Sequence, residues 1–339
     1  MPVLILVIFV LNLVPAVAPR PPPLRKASVA ELREGAISGR EQRLRAAALD
    51  RFAAWLNVAA GETVEVLARA SPLRLSEHLE EYLYQLFEMR WSRGEGRQVL
   101  LATADMHSWM RNQLAGPWRV LRNWERLEPD KHRAPLPVVW LKALAVTAMT
   151  WSWPRVALIL LLSFFGLLRP SESYGLSRSD FLLPSDHDMG DYLLLRIREP
   201  KSRWASGHQQ YVRIGRETPL DWLVSELSRM RMNCQIWPGS PGTFCSRLRM
   251  LSKECLGRED LVLPSGLRTG GATFVFQKSD EDLGRLLWRG RWRDIRMLGI
   301  YIQELSAAMV RMKLQHDDDV CVRRLADLYA DVFGLAARG

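Results

Sequence analysis

Four separated segments of the chain carry side chains that can bind or attack a phosphate. In chain order they contribute Arg169 with Glu172, Lys201, Ser265 with Arg268, and Trp292 with Tyr301 nine residues later. Arginine presents a rigid fork of N–H donors that matches phosphate oxygens, and lysine carries a proton that it can give up. A tyrosine phenol, with a pKa of about 10, attacks phosphorus only where the phosphate and the leaving group are strongly stabilised. Each of these residues, taken singly, more often has a structural role. The evidence for chemistry on a phosphate is that all of them occur together in this order.

The composition is that of a globular protein with a surplus of positive charge. Of the 339 residues, 48% are hydrophobic and 25% are charged, which excludes a disordered or fibrous chain. The length suits two ordinary domains. The 47 Lys and Arg residues against 37 Asp and Glu residues give a formal net charge of +10. This surplus favours a polyanionic partner, because neutralised phosphates release condensed counterions; a basic but otherwise ordinary protein is the alternative.

The four cysteines are dispersed along the chain. They are Cys234, Cys245, Cys255 and Cys321. They form no C-x-x-C pair, and no histidine lies at metal-ligand spacing beside them, so we expect reduced and mostly buried thiols. The sequence therefore predicts no structural zinc, no disulfide framework and no cofactor.

The N-terminal 29 residues are predicted to be an apolar leader followed by a Pro-rich spacer. Residues 3–18 are almost all apolar and end in Ala16-Val17-Ala18, which resembles a cleavage site for secretion. No Lys or Arg precedes the run, and it is shorter than the roughly 20 residues of a membrane-spanning helix. Secretory or membrane targeting and a leader on an intracellular protein both stay open.

Residues 30–127 are predicted to form a helical domain. Apolar residues recur at helical spacing over residues 38–58, as in Ala48, Phe52 and Leu56. Further helices are expected around Leu79 to Phe87, from Gln98 to Leu114, and after Pro117. The polar, Pro-rich residues 128–137 are expected to form a linker.

Residues 138–339 are predicted to form a second domain that mixes helices with a small sheet. Two apolar helices are expected over Val138–Thr150 and Pro154–Leu168. Alternating apolar residues predict a strand over Asp191–Arg198 and a partner strand over Gln209–Ile214. Helical patterns resume at Leu220. The expected fold class is thus mostly α (α+β), with a small antiparallel β-sheet in the second domain.

The four segments together resemble the tyrosine recombinases, the phage integrase family. That family has an Arg with a nearby acidic residue, a Lys in a β-hairpin, an H-x-x-R box, and a His or Trp nine residues before a nucleophilic Tyr. Arg169, Lys201, Arg268, Trp292 and Tyr301 match in that order. The use of Trp is similar to a Cre-like catalytic domain. The resemblance covers roughly residues 38–305 and is specific only after residue 130.

The resemblance implies metal-independent cleavage and rejoining of DNA in site-specific recombination or mobile-element integration. Tyr301 would form a 3′-phosphotyrosyl intermediate, and Lys201 would protonate the departing 5′ oxygen. The other implied roles concern the phosphate: Arg169 and Arg268 hold its non-bridging oxygens, Trp292 donates an indole N–H, and Glu172 orients Arg169. The helical domain would be a core DNA-binding domain.

Ser265 departs from the family pattern, because the H-x-x-R box has His at this position. Serine can donate a hydrogen bond but cannot act as an acid or a base near neutral pH. His208, in the segment with Lys201, is a candidate substitute. The alternative function is therefore a DNA-binding protein that keeps the recombinase fold with weakened or lost catalysis.

Arginines outside the matched motifs are candidates for contacts to the DNA backbone. They are Arg40, Arg43, Arg45, Arg51, Arg203, Arg289, Arg291 and Arg293. The common alternative for such charge runs is a solvated face. The resemblance further implies double-stranded DNA as the partner, a homo-tetramer on DNA, a C-terminal helix docked on a neighbouring protomer, and a location with DNA in a nucleus or nucleoid.

Overall fold

A computed structural model describes residues 37, 39–106, 109–129, 134–188, 190–198, 200, 210–279, 282–299 and 301–338. These form two compact units, one within residues 37–129 and the other within residues 134–338. The predicted leader and spacer at residues 1–29 lie outside the described residues, as do Lys201, Arg203 and His208. In the ranges just given, no helix is both long enough and apolar enough to cross a membrane.

All secondary-structure elements described in the first unit are helices. Its helices are α1 (Gly39–Ala60), α2 (Val64–Ala70), α3 (Pro72–Glu88), α4 (Arg93–Met106), α5 (Met110–Gln113) and α6 (Ala115–Leu127). Phe52 and Leu56 of α1 are fully buried, as the spacing predicted. One helix was predicted from about Gln98 to Leu114, but α4 begins five residues earlier, at Arg93, and a separate helix, α5, covers Met110–Gln113. Glycine is unfavourable inside a helix, so Gly96 argued against an earlier start. It is required there by packing, because an added Cβ would come within 2.6 Å of the Leu83 side chain.

The second unit contains the remaining helices and all described strands. They are α7 (Val138–Thr150), α8 (Pro154–Phe165), α9 (Pro170–Tyr174), β1 (Phe181–Leu182), β2 (Leu193–Ile197), β3 (Gln210–Ile214), α10 (Leu220–Ser228), α11 (Pro241–Leu256), α12 (Pro264–Lys278), α13 (Leu283–Gly290), α14 (Ile295–Leu298), α15 (Glu304–Arg311), α16 (His316–Asp327) and α17 (Tyr329–Arg338). The predicted fold class, mostly helical with a small antiparallel sheet, is confirmed.

The described strands form one antiparallel sheet in the order β1-β2-β3. Leu195 at the centre of β2 pairs with Phe181 on one side and Val212 on the other. The leucines and isoleucine of β2 that alternate along the strand are buried, so one face of the sheet packs on the core. This is the period-two pattern that predicted the strand.

The core of the second unit is built around α8, whose side chains are buried from Val156 to Phe165. The C-terminal helices pack within this same unit. Val322 of α16 is fully buried, and the ring of Phe333 lies 4.7 Å from that of Trp222 in α10. The segment predicted to dock on a neighbouring protomer thus buries part of its apolar residues within its own unit, whereas Met312 and Leu335 are exposed.

The cysteines differ from the prediction of mostly buried thiols. All four are free, but only Cys255 is buried, where its sulfur lies 3.1 Å from Thr147 Oγ1. Cys321 is exposed on α16. The sequence offered no way to separate them, because burial of a cysteine depends on which face of its helix meets the core.

Candidate active site

The site is built first on the turn that ends α8. A helix through Leu168 was predicted, but the helix stops at Phe165 because Leu167 adopts a left-handed backbone with φ of 49°. A branched side chain is rarely found in that conformation. The turn brings Arg169 to the start of α9, with Pro170 as the first helical residue.

Glu172 closes the first turn of α9 back onto Arg169. Its carboxylate accepts the Arg169 backbone N–H at 2.9 Å and the Arg169 Nη1 donor at 2.7 Å. The Glu172 side chain is only 2% exposed. The predicted role of Glu172 in orienting Arg169 thus has a direct geometric basis, although its effect on a reaction is still a prediction.

Arg268 reaches this turn from α12, which packs very closely on its neighbours. A Cβ at Gly270 would lie 2.1 Å from the Leu136 carbonyl oxygen, and one at Gly271 would lie 2.0 Å from that of Phe164. Two glycines in a row therefore let the backbone of α12 approach α8 and residue 136. The Leu136 N–H donates to the Gly266 carbonyl at 3.0 Å on the same side.

The Arg268 guanidinium is buried and tied to two backbone carbonyls. Its Nη2 donates to the Gly290 oxygen at 2.7 Å, and its Nη1 donates to the oxygen of Leu167. Burial, together with the charges of Arg291 and Arg169, lowers the pKa of Arg268 to about 9. The group is still protonated at neutral pH, so a positive charge is held in the interior.

Trp292 and Tyr301 lie beside this charge. Their ring centroids are 4.8 Å apart, and the Arg268 guanidinium carbon lies 4.6 Å from the Trp292 ring and 5.4 Å from the Tyr301 ring. The Tyr301 side chain is half-buried. Thr273 Oγ1 of α12 also donates to the Tyr301 carbonyl at 3.2 Å. The structure thus brings together Arg268 of the third segment with Trp292 and Tyr301 of the fourth.

Gly290 makes the position of Trp292 possible. A Cβ at Gly290 would lie 1.6 Å from an atom of the indole ring. The ring therefore lies directly on the glycine, and the same glycine offers its carbonyl to Arg268. The Gly-x-Trp spacing seen in the sequence has this steric reason.

Glu172 also binds Arg291, a contact that sequence reasoning missed. Arg291 Nη2 donates to the Glu172 carboxylate at 2.7 Å and to the Leu167 carbonyl at 3.2 Å. Burial raises the pKa of the Glu172 carboxyl, but the charges of Arg291 and Arg169 and the backbone N–H outweigh it, so the net pKa lies below its usual range. The carboxylate is shared between two arginines.

Ser265 lies in the first turn of α12, three residues before Arg268, and is half-buried. Residues at this spacing share one face of a helix. Its carbonyl accepts Thr269 Oγ1 at 3.3 Å, while its hydroxyl makes no hydrogen bond among the residues described. The Lys201 segment that would complete the site belongs to the connection between β2 and β3, outside those residues.

The predicted DNA-binding arginines fall into two groups. Arg40, Arg43 and Arg293 are exposed. Others are paired with carboxylates: Arg45 with Asp105, Arg51 with Glu95, Arg289 with Glu217, and Arg291 with Glu172. Arg291 is 6% exposed, so it lies within the site rather than on the basic face expected for this cluster.

Asp180, eleven residues after Arg169 in the sequence, has a structural position. It is buried, accepts the Ser177 N–H at 3.0 Å and pairs with Arg198 Nε at 2.5 Å. It thereby fixes the turn that leads into β1.

Comparison with known proteins gives the following findings. No protein-family model and no curated protein matches the chain. Among solved structures, the XerA recombinase is similar over 84% of this chain and 95% of its own, with 16% identity and a TM-score of 0.40. XerH, a site-specific recombinase solved in a pre-cleavage complex with its difH substrate, is similar over 77% of this chain and 75% of its own, with 14% identity and a TM-score of 0.46. We therefore base the function proposed below on the site itself.

Proposed function

We propose that the chain cleaves and rejoins DNA through a covalent link between Tyr301 and a 3′ phosphate. The observation that carries this proposal is a buried excess of positive charge beside the tyrosine. Arg268 lies 5.4 Å from the Tyr301 ring, and Arg169 and Arg291 share one carboxylate, that of Glu172. Three guanidiniums against one carboxylate leave a net positive site suited to a phosphate.

Donors without partners support the same proposal. Arg268 Nε and Trp292 Nε1 are buried and have no hydrogen-bond partner within the described parts of the chain. A buried donor left unpaired costs roughly 1–3 kcal/mol. Phosphate oxygens would satisfy such donors, and both side chains lie beside the Tyr301 ring, with the Trp292 ring centroid at 4.8 Å and the Arg268 guanidinium carbon at 5.4 Å.

The proposed reaction conserves atoms and charge. The Tyr301 oxygen gives its proton to solvent water and forms a bond to phosphorus, while the bond from phosphorus to the 5′ oxygen breaks. The 5′ oxygen gains a proton, for which we propose Lys201 as the source. Arg169 and Arg268 would stabilise the charge that grows on the non-bridging oxygens. Attack by a 5′ hydroxyl on the phosphotyrosine reverses the step and rejoins DNA.

The test is to trap the intermediate on double-stranded DNA that carries a nick near the cleavage point. Loss of the short nicked fragment prevents rejoining, so wild-type protein is expected to accumulate a covalent complex. Tyr301→Phe is expected to form none. Tyr329→Phe is the matched control, because it removes a buried phenol hydroxyl that has no partner among described residues. A wild-type protein that binds DNA but never forms the complex would refute the proposal.

A second candidate function is DNA binding without cleavage, and Ser265 favours it. The hydroxyl cannot replace the proton transfer that a histidine would provide at this position. In this case DNA binding is expected with no covalent product. Ser265→His then becomes decisive, because new cleavage in that variant would identify this position as the limiting one.

The exposed arginines are proposed as contacts to the phosphate backbone. Arg40, Arg43 and Arg293 have exposed side chains. Replacing each by Ala is expected to weaken DNA binding alike for all sequences and to lower the slope of affinity against salt by about one. To contact the DNA backbone, Arg45, Arg51 and Arg289 would first have to break their ion pairs with carboxylates. Assembly as a homo-tetramer on DNA, a role in mobile-element integration and a location with DNA are parts of this proposal.

A further inference from the structure

Arg291 holds a backbone conformation that arginine rarely adopts. Its φ is 58°, in the left-handed region, at the C-terminal end of α13. Its N–H donates to the Trp288 carbonyl at 3.2 Å, and the next N–H, of Trp292, donates to Leu287 at 3.0 Å. Glycine accepts this conformation without strain, whereas a side chain keeps it only if other contacts compensate.

Those contacts come from the Arg291 side chain. The guanidinium is 6% exposed and binds the Glu172 carboxylate at 2.7 Å. It also donates to the carbonyls of Leu167 at 3.2 Å and Gly166 at 3.5 Å. It therefore joins the end of α13 to both the turn after α8 and the first turn of α9.

We propose that Arg291 is a positioning residue, which holds Trp292 and the segment leading to Tyr301 against the turn that carries Arg169. This inference rests on the function proposed above. A direct contact to DNA is the weaker interpretation, because the guanidinium is buried and already bound to a carboxylate. The Trp292 ring lies on Gly290 and contacts the Tyr301 ring at an interplanar angle of 48°, so a shift of the Arg291 turn would displace both aromatic rings.

The test is Arg291→Gly, which removes the side chain and leaves a residue suited to the backbone. Arg90→Gly is the matched control, because Arg90 has φ of 56° but is exposed in the first unit. We expect Arg291→Gly to slow single-turnover cleavage by about 100-fold, since misplaced reacting groups lose rate steeply. DNA affinity and its salt slope are expected to stay at the wild-type values, and Arg90→Gly is expected to cleave normally.

A cycle with Glu172→Gln tests the route of the effect. If Arg291 acts through Glu172, the double variant Glu172→Gln with Arg291→Gly cleaves no more slowly than the worse single variant. A double variant whose cleavage is slowed by the product of the two single-variant factors would overturn this route. A lower salt slope together with weaker binding in Arg291→Gly would show a phosphate contact and overturn the positioning role, as would unchanged cleavage.

Amide hydrogen exchange separates failure of this inference from failure of the proposed function. Faster exchange at Trp292, Tyr301 and Ile302 in Arg291→Gly, but not in Arg90→Gly, supports the positioning role even in a protein that never cleaves DNA. Exchange at wild-type rates in those amides would overturn it. The absence of covalent product from the wild type bears only on the proposed function.

Discussion

Arginines in two regions of the molecule behave differently. In α1 of the first unit, Arg51 is 43% exposed and binds Glu95 through two hydrogen bonds of 2.7 Å, one cation to one carboxylate. In the second unit, Arg268 is 2% exposed and binds two carbonyls, while Arg291 and Arg169 divide one carboxylate. In the first region an exposed positive charge is neutralised by one carboxylate. In the second region more positive than negative charge is removed from contact with water.

The difference shows what a charged side chain needs in each place. Exposed pairs contribute little to stability, because water and salt screen both charges. A buried cation costs several kcal/mol unless hydrogen bonds and opposite charge compensate. The second region carries that cost with one carboxylate for three arginines. Such an arrangement suits the binding of an anion, and the predictions below test how strongly it depends on burial.

The largest stability effect is expected from Glu172→Gln. The change leaves Arg169 and Arg291 without their shared carboxylate, and breaking a buried ion pair costs about 3 kcal/mol. Glu217→Gln is the comparison, because Glu217 is 29% exposed and, among the residues that the structure describes, pairs with Arg289 alone; about 1 kcal/mol or less is expected there. Urea unfolding of the two variants measures both values. Equal losses would remove the distinction between buried and exposed pairs.

The same carboxylate predicts a dependence on pH. The folded pKa of Glu172 is lowered, so its contribution to stability is present above the unfolded pKa of about 4.3 and is lost as pH falls through the folded value. Wild-type protein should therefore lose stability on acidification through this range. Glu172→Gln should lose less, because it lacks the titrating group. Unfolding free energies measured between neutral and acid pH provide the test, and parallel curves would contradict it.

Gly271→Ala tests the close packing that brings Arg268 to the site. The new Cβ would lie 2.0 Å from the Phe164 carbonyl, so α12 must move away from α8. A loss of about 2 kcal/mol is expected from this overpacking. Gly334→Ala in α17 is the control, because nothing lies within 4 Å of its added Cβ. It should be neutral or stabilise slightly through helix propensity. A tolerated Gly271→Ala would mean that Arg268 does not depend on this approach.

The smallest effect is expected from Arg51→Ala. The pair with Glu95 is exposed on the arginine side, so its loss should cost about 0.5 kcal/mol. The cost should shrink as salt is added, because exposed charges are screened. Urea unfolding at low and high salt measures it. A loss as large as that of Glu172→Gln would contradict the comparison between the two regions.

Local pattern was sufficient to predict the long elements. The bounds of Val138–Thr150 were predicted to the residue, because continuous apolar sequence and a following break leave little choice. Both main strands were predicted from alternation. The errors came where a contact distant in sequence decided the outcome, as at Gly96 in α4 and at Leu167, where the chain leaves α8 in a left-handed conformation.

The sequence by itself determined which residues to examine, their order, and the nine-residue spacing between Trp292 and Tyr301. Only the tertiary structure decided that Arg268 lies over both aromatic rings, and that Glu172 is shared by Arg169 and Arg291. Arg291 was indistinguishable in sequence from the exposed arginines around it. The reason is physical: side-chain type and local spacing fix helices and strands, whereas the burial and partners of a charge depend on packing between segments up to 125 residues apart in the sequence. The entropic cost of closing such long loops grows only slowly with their length, so contacts of this kind form without any local sequence signal.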